Sequence, residues 1–593
     1  MTRAVATLLL SAALVAYGAP AEETADEMLE RAARLEDEGK TAEAVQLYGE
    51  ILEKYPDNAR AYNNFGAVLL SAGKVEEAKY AFEKAAELDP DYDTPRNNLG
   101  YIYLRVEQDY VKAGAFLLAA AEINPYNESA LNNLRYYYIL QDQYEEAAAE
   151  WEKLSRLAPD SARIKRDLAD IYIKLGDFEA GEKWAKATLA LDADDLDARL
   201  NLAFIYRLTG RLEEAEKLLV KLAKTGADAV EVQVALRDVF FARGKFEEAL
   251  AAAKAVIEAE GEAGPEDFLA LARIYYELGQ YDDGLAACDR ALELRDDAAG
   301  RNIKGAGLYL AGRLDEAEAE LSLAVAREDG FADAQRNLAD VYYQKWLFAE
   351  ALGHYEKAYA LNPRDRRALV MSGYCYYQLG DAAAAEAVFD DVLTESPANV
   401  KALSGKAAVL RGRGDVDGAF SYSAKAVETS PRNAEALNTA GVLAAEVGEF
   451  EKSYDYFKRL LELEPGPAYA YANFGVAAVR TGRWAEAREA FAGAAAKDPR
   501  DLQARAGLAL ATATLEPAKA EAVIAAAEEI SPTNPVVLYA RALEAGARGD
   551  AAARDEYLAR VLEQKRSGEE EGFFVDVLTA FVFEKAEAAV GDK

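Results

Sequence analysis

Any chemistry this chain performs would have to come from few side chains. His354 is the single histidine among 593 residues. No serine or cysteine therefore has a spare imidazole to act as its base, and no histidine-rich metal site can be assembled. Cys288 and Cys375 are the two cysteines. They exclude a disulfide framework and a cysteine-rich metal site, and free buried thiols are expected, since an unpaired cysteine packs like a small hydrophobe. Glu76-Glu77, Glu145-Glu146, Glu213-Glu214 and Glu247-Glu248 look like acid/base pairs. They recur at one phase of a longer period, where the positive end of a helix dipole favours carboxylates, and capping accounts for them. Glycines come singly, without the context of a phosphate-binding loop. Arg413-Gly414-Asp415 and Arg548-Gly549-Asp550 spell one tripeptide twice, both where a turn demands the glycine. The expectation is a protein with no catalytic residues, no metal and no cofactor.

The elements behind these residues are set by a period. Prolines fall at Pro56, Pro90, Pro125 and Pro159, then at Pro363, Pro397, Pro431, Pro465, Pro499 and Pro532. The step is about 34 residues, and the gap between Pro159 and Pro363 is a whole number of steps. Glycines from Gly39 and Gly73 to Gly482 and Gly549 keep the same beat. So do small residues from Ala44 and Ala78 to Ala487 and Ala520. Each unit reads as a helical hairpin. In the unit from Ala59 to Tyr92, Tyr62, Phe65, Leu69 and Leu70 make one apolar stripe and Gly73 ends the first helix. Glu76 and Glu77 open the second helix, whose stripe is Ala78, Phe82, Ala85 and Leu88, and Pro90 closes it. Gly66 and Ala78 let the two backbones approach, and Phe82 fills the space toward the next hairpin. One hairpin cannot bury its outer stripe, but stacked neighbours can.

Four places depart from the pattern: Glu107-Gln108 replaces the turn glycine with one residue inserted, Trp346 stands where glycine is expected, the turn from Thr514 to Pro517 is one residue short, and the units from Asp192 to Asp329 lack the closing proline. After Arg566 the beat stops. Ser567 and the acids after it precede an apolar stripe of Phe574, Val577, Leu578 and Phe581, which suits a helix covering the last exposed stripe or a docking helix for a partner.

This pattern resembles the tetratricopeptide repeat family over about sixteen units between Ala25 and Arg566. The resemblance implies an all-α fold: a right-handed superhelical solenoid of helix-turn-helix repeats at residues 25–566, with a capping helix and tail at 567–593. It also implies binding and scaffolding without a fixed ligand, and a concave groove lined by the first helix of each unit. The fifth, sixth, ninth and twelfth places of a unit would face that groove. Asn64, Asn98, Asn133, Asn201, Asn337 and Asn473 share one such phase. A column of side-chain amides can hold an extended peptide without reading its sequence, much as the asparagine ladder of O-GlcNAc transferase does; the alternative is a consensus residue bonded to its neighbour. Phe241, Tyr276, Tyr309, Tyr343 and Tyr377 share another phase and suit peptide side chains or sugar rings, or pack half-buried. Tyr101, Tyr136, Phe204 and Tyr374 occupy a third. Arg163, Arg166, Lys174 and Arg207 form one basic patch, and Arg336, Arg367, Lys401 and Arg411 a second, able to attract acidic peptide or polysaccharide. Beyond about Ala434 the groove positions turn apolar, with Ala472, Val476, Val479, Ala506, Leu510 and Ala513 able to take an apolar helix.

Net charge is −36 and the pI is near 4.6. Such a surface repels phosphate backbones and anionic lipid, so nucleic acid is not expected as a partner. At the N-terminus Met1-Thr2-Arg3 precedes an apolar run that ends near Ala19-Pro20-Ala21, the pattern of a cleavable signal peptide over residues 1–21. No cysteine follows for lipid attachment. The expected location is periplasmic or secreted, with no membrane span after cleavage; an uncleaved N-terminal anchor is the alternative. The expected function is a non-enzymatic scaffold of the cell envelope for protein or peptide partners, with a scaffold for polysaccharide export as the alternative.

Overall fold

The computed structural model describes residues 23–225, 230–259, 263–463, 466–567 and 573–591. Residues 1–21, Pro465 and the side chain of Phe574 lie outside the described residues. The described chain holds 33 α-helices and no strand. Thirty-two of these helices pair into sixteen hairpins, and the last, Phe573–Gly591, stands alone. The fold is an all-α repeat solenoid. It divides into two compact units, one ending at Ala263 and the other beginning at Gly264.

The local causes repeat. In the second hairpin Asn58 caps the helix Ala59–Ser71, its side-chain oxygen accepting from the Ala61 amide at 2.9 Å. Gly73 ends that helix at φ +75°, a left-handed conformation with little penalty for glycine, and Val75–Leu88 returns antiparallel. Phe82 is fully buried. A Cβ built on Gly66 would lie 2.8 Å from the Phe82 ring, so the missing side chain is the space the ring fills. In the second unit the Phe389 ring sits against both Gly373 and Gly405, and Phe491 against both Gly475 and Gly507. One ring thus fills the gap between the first helices of its own hairpin and the next, which ties neighbours together.

The departures have local consequences. The first helix of the third hairpin ends in a π-helical turn, Tyr103–Glu107, and Gln108 takes the left-handed place at φ +56°. Trp346 takes it at φ +62° with 78% of its surface exposed. The short turn after Leu515 becomes a 3-10 segment, Pro517–Lys519, before the eight-residue helix Glu521–Glu528.

The terminal helix Phe573–Gly591 buries Val577, Leu578, Val582 and Ala586. It packs on both helices of the last hairpin, Pro535–Ala547 and Ala551–Ser567, and also reaches back to the first helix of the fourteenth, Ala468–Arg480. Phe581 meets Trp484 at 5.8 Å between ring centroids, and Arg480 lies 3.4 Å from Glu584. Val476, Leu510, Ala506 and Ala513 belong to the same apolar cluster. The apolar stretch beyond Ala434 is therefore not an open groove throughout: the chain's own last helix packs on the helix Ala468–Arg480, and Ala506, Leu510 and Ala513 are buried in the same cluster, as apolar side chains gain by leaving water.

Candidate binding groove

The asparagine column forms a set of links between hairpins. Asn98 donates from Nδ2 to Asn63 Oδ1 at 3.1 Å, and Asn133 to Asn97 Oδ1 at 2.9 Å. In the second unit Asn337 donates to Asn302 Oδ1 at 2.8 Å. Asn64 accepts from Asn63 at 3.2 Å, and Asn473 is buried. Asn201 donates to Asp170 Oδ1 at 2.6 Å. In the fifth hairpin the place of asparagine is taken by Asp167, only 1% exposed, whose carboxylate accepts from Arg163 Nε at 3.1 Å and Trp151 Nε1 at 3.4 Å. Among the described residues the side-chain oxygens of Asn98, Asn133 and Asn201 accept no hydrogen bond, and each remains able to meet a peptide N–H.

The basic patches are mostly neutralised. Arg163 bonds Asp167 and Asn132. Arg166 reaches Asp195 at 2.9 Å and Asp197 at 3.4 Å. Arg336 pairs with Asp365 at 2.7 Å, Arg367 with Asp340 at 2.5 Å, and Arg411 with Glu446. Apart from Asp167, one turn along the same helix, these carboxylates lie about a repeat away in sequence, so Arg166, Arg336, Arg367 and Arg411 join one hairpin to the next and do not stand as free basic surfaces. Lys174 and Arg207 differ. Neither forms an ion pair among the described residues, and the Arg207 guanidinium lies over the Phe204 ring at 5.1 Å.

The aromatic series is also uneven. Tyr276 is 8% exposed and its hydroxyl lies 3.3 Å from Cys288 Sγ. Its ring occupies the room left by Gly284 and Gly307, where an added Cβ would come within 2.3 and 2.1 Å. Tyr276 is thus a core residue. Phe241, Tyr309, Tyr343 and Tyr377 are half-buried. Phe241 meets Phe246 edge-on at 5.5 Å, and Tyr343 meets Phe348 at 5.3 Å. Tyr101 and Phe204 are exposed, Tyr136 lies 3.6 Å beneath the Arg105 guanidinium, and the Tyr374 hydroxyl donates to the Lys401 carbonyl at 2.9 Å.

In the first unit these residues gather into cavities along the first-helix face. One, of about 460 Å³, is lined by Asn97, Asn98, Tyr101, Asn132 and Asn133. A second, of about 490 Å³, has Trp151 and Phe204 as apolar walls and Arg135, Asp170, Lys174 and Asn201 as polar ones. A third, of about 450 Å³, shares Asn201 and Phe204 and adds Arg207, Glu231 and Asp238. Arg135, Asp170 and Trp151 were not among the residues singled out from the sequence. The ninth place held by Asp170 was the available signal. Burial raises the Asp170 pKa above the usual carboxylate range, opposed by the bond from Asn201.

His354 is tied into the fold: Nδ1 lies 2.7 Å from Gln335 Oε1, the ring stacks on Tyr342 at 5.4 Å, and burial lowers its pKa. Among the described residues no group of three His, Cys, Asp or Glu is placed to hold a metal ion, and no helix is long and apolar enough to cross a membrane.

A tetratricopeptide repeat model matches residues 137–195, 234–299, 269–333, 336–400 and 473–535, and a second tetratricopeptide repeat model matches 35–96 and 185–237. A search of curated proteins finds no match. Among solved structures, the chain is similar to the hetero-tetramer of Cut9 and Hcn1 from the APC/C, at 14% identity over 83% of this chain and 97% of that one, with a TM-score of 0.48. It is also similar to a tetratricopeptide repeat protein from Parabacteroides merdae, at 19% identity over 42% of this chain and 98% of that one, with a TM-score of 0.34. A third is the C-terminal part of a TPR repeat-containing protein from Cytophaga hutchinsonii, at 21% identity over 40% and 97% of the two chains, with a TM-score of 0.30. With the two repeat models together spanning more than half of its length, and sixteen helical hairpins in its structure, the chain belongs to the tetratricopeptide repeat family.

Proposed function

We propose that this protein is a non-enzymatic scaffold of the cell envelope that holds a segment of a partner protein, in extended form, along the first-helix face of its N-terminal unit. Tetratricopeptide repeats are in general scaffolds for protein–protein contact. The observation that carries the more specific reading is the run of cavities in which Asn98, Asn133 and Asn201 keep side-chain oxygens free beside Tyr101, Phe204 and Lys174. Oxygens at repeat spacing can accept from the N–H groups of an extended backbone, and exposed aromatics supply apolar contact with few rotatable bonds. The envelope location rests on the signal-like sequence at residues 1–21.

Affinity capture from an envelope fraction tests the reading. Partners retained by the native protein should be lost on combining Asn133→Ala with Asn201→Ala, while circular dichroism stays unchanged; unchanged capture would refute peptide binding at these amides. Deleting residues 1–21 should leave the protein in the cytoplasm, and export without them would refute the envelope assignment. Polysaccharide is the competing ligand and rests on the half-buried Tyr309, Tyr343 and Tyr377. Burial of Tyr276 interrupts that series, and glycan-array binding abolished by Tyr309→Ala with Tyr343→Ala would favour it.

A further inference from the structure

We infer that the cavity between the fourth, fifth and sixth hairpins selects, from an extended partner segment, a large apolar side chain with a carboxylate close beside it. The inference rests on the peptide-groove reading and specifies the sequence that the groove prefers.

The apolar half of the cavity is built on core residues. Trp151, Ile171 and Tyr138 are buried and line it, and Phe204, exposed, forms the outer wall. A volume of about 490 Å³ admits an aromatic or long aliphatic side chain with its flanking backbone. Covering the exposed Phe204 and Ile139, with the buried rings as the floor behind them, supplies the non-directional part of the affinity.

The polar half is asymmetric. Arg135 and Lys174 line it against a single carboxylate, Asp170. Both oxygens of Asp170 are engaged, Oδ1 by Asn201 at 2.6 Å and Oδ2 by Arg135 at 3.6 Å. Asp167 lies behind the rim, held by Arg163 and Trp151 and also 3.6 Å from Arg135. Lys174 is exposed and has no carboxylate among the described residues. Asp197 also acts on Asp170 and is paired with Arg166, so in a chain of net charge −36 Lys174 is the one cation lining the apolar recess that has no carboxylate partner among the described residues. An acidic side chain near the recess completes an ion pair with Lys174, whereas a basic one meets Lys174 and Arg135 with Asp170 already engaged. Complementarity of this kind acts mainly on selection between partners.

The test uses the full-length protein and fluorescence anisotropy with three pools of end-blocked nonapeptides, randomised at the remaining positions. The first has a central Phe followed by Glu, the second a central Phe followed by Lys, and the third a central Ala followed by Glu. The first pool is expected to bind at least about tenfold more tightly than either other pool at low salt, with the margin over the second shrinking as salt rises. Lys174→Glu should abolish or reverse the preference for the first pool over the second, and Phe204→Ala should remove the preference for Phe over Ala. Lys174 lies on the surface, so the charge reversal is expected to fold, which circular dichroism checks. Equal binding of the first two pools, or a preference that survives Lys174→Glu, overturns the inference and leaves the groove reading standing. Loss of binding by all three pools overturns both.

Discussion

Replacing Gly405 by alanine gives a sharp test of how the hairpins are joined. The Cβ added there would lie 2.3 Å from Phe389 Cζ, with two more ring carbons at 2.5 and 2.7 Å. Ordinary contact needs roughly 1 Å more, so the ring or the backbone must move. The ring has little room, since Phe389 is fully buried, lies against Gly373 on its other side and is met edge-on by Tyr374 at 5.3 Å. Overpacking of this kind costs about 1–3 kcal/mol, set against a helix-propensity gain of up to about 1 kcal/mol for Gly→Ala. The net expectation is a loss of up to about 2 kcal/mol. Gly353 is the control. It lies inside the helix Phe348–Leu361, and nothing stands within 4 Å of its added Cβ. Gly353→Ala should therefore stabilise by up to about 1 kcal/mol. In a Phe389→Leu background the Gly405→Ala loss should shrink, giving a coupling of at least about 0.5 kcal/mol. Urea midpoints alone are ambiguous in a repeat array, which need not unfold in one step. The readout is therefore hydrogen exchange in the helices Ala382–Glu395 and Val400–Gly412. If both glycine substitutions raise protection there, or the cycle is additive, the ring does not bridge the two hairpins.

Three further outcomes follow from the same geometry. Deleting residues 568–593 removes Val577, Leu578 and Val582 from the core, each worth about 1.5–3 kcal/mol when buried; exchange in the helix Ala468–Arg480 should accelerate and Trp484 emission shift to the red, and unchanged protection would contradict the packing of the terminal helix. Asp340 should give stability a pH dependence. Burial raises its pKa, opposed by the bond from Tyr355 and by Arg367. Between the usual carboxylate range and that raised value the folded protein holds a proton that the unfolded chain has lost, so stability falls as pH rises through this window; comparing denaturation of the wild type and Asp340→Asn from about pH 4 to about pH 7 should show a flatter profile for the variant. Burial pushes the Cys288 thiol up to about 11 and the Cys375 thiol up to about 12, so neither should react with a disulfide reagent near pH 8 until the protein is unfolded; rapid native labelling would refute the packing around them.

The sequence carried the repeat and its internal packing, because both depend on residue size at a fixed count. Ala44, Ala78, Ala113, Ala215, Ala317, Ala351, Ala385, Ala419 and Ala487 are fully buried, and the turn glycines from Gly39 to Gly549 adopt positive φ. It carried much less about what faces the groove. Periodicity gives the side of a helix but not the volume that neighbours leave, so Tyr276 reads as a groove residue until Gly284 and Gly307 are seen to make room for it. The cations at Arg166, Arg336 and Arg367 read as patches because their partners Asp195, Asp365 and Asp340 belong to adjoining hairpins. Likewise the apolar positions from Ala472 onward pointed to a helical occupant, but only the packing of the chain shows that its own terminal helix lies against the helix Ala468–Arg480, while Leu510 is buried within the same apolar cluster.

Whether the first-helix face of the N-terminal unit holds the partner can be read in living cells with a photo-crosslinking amino acid placed, one site at a time, at Tyr101, Phe204 and Val111. Exposure alone favours Val111, which is 84% exposed on a second helix, over Tyr101 at 41% and Phe204 at 39%. Adducts to another protein at Tyr101 and Phe204 with none at Val111 are predicted; adducts concentrated at Val111, with the other two sites silent, would contradict the account.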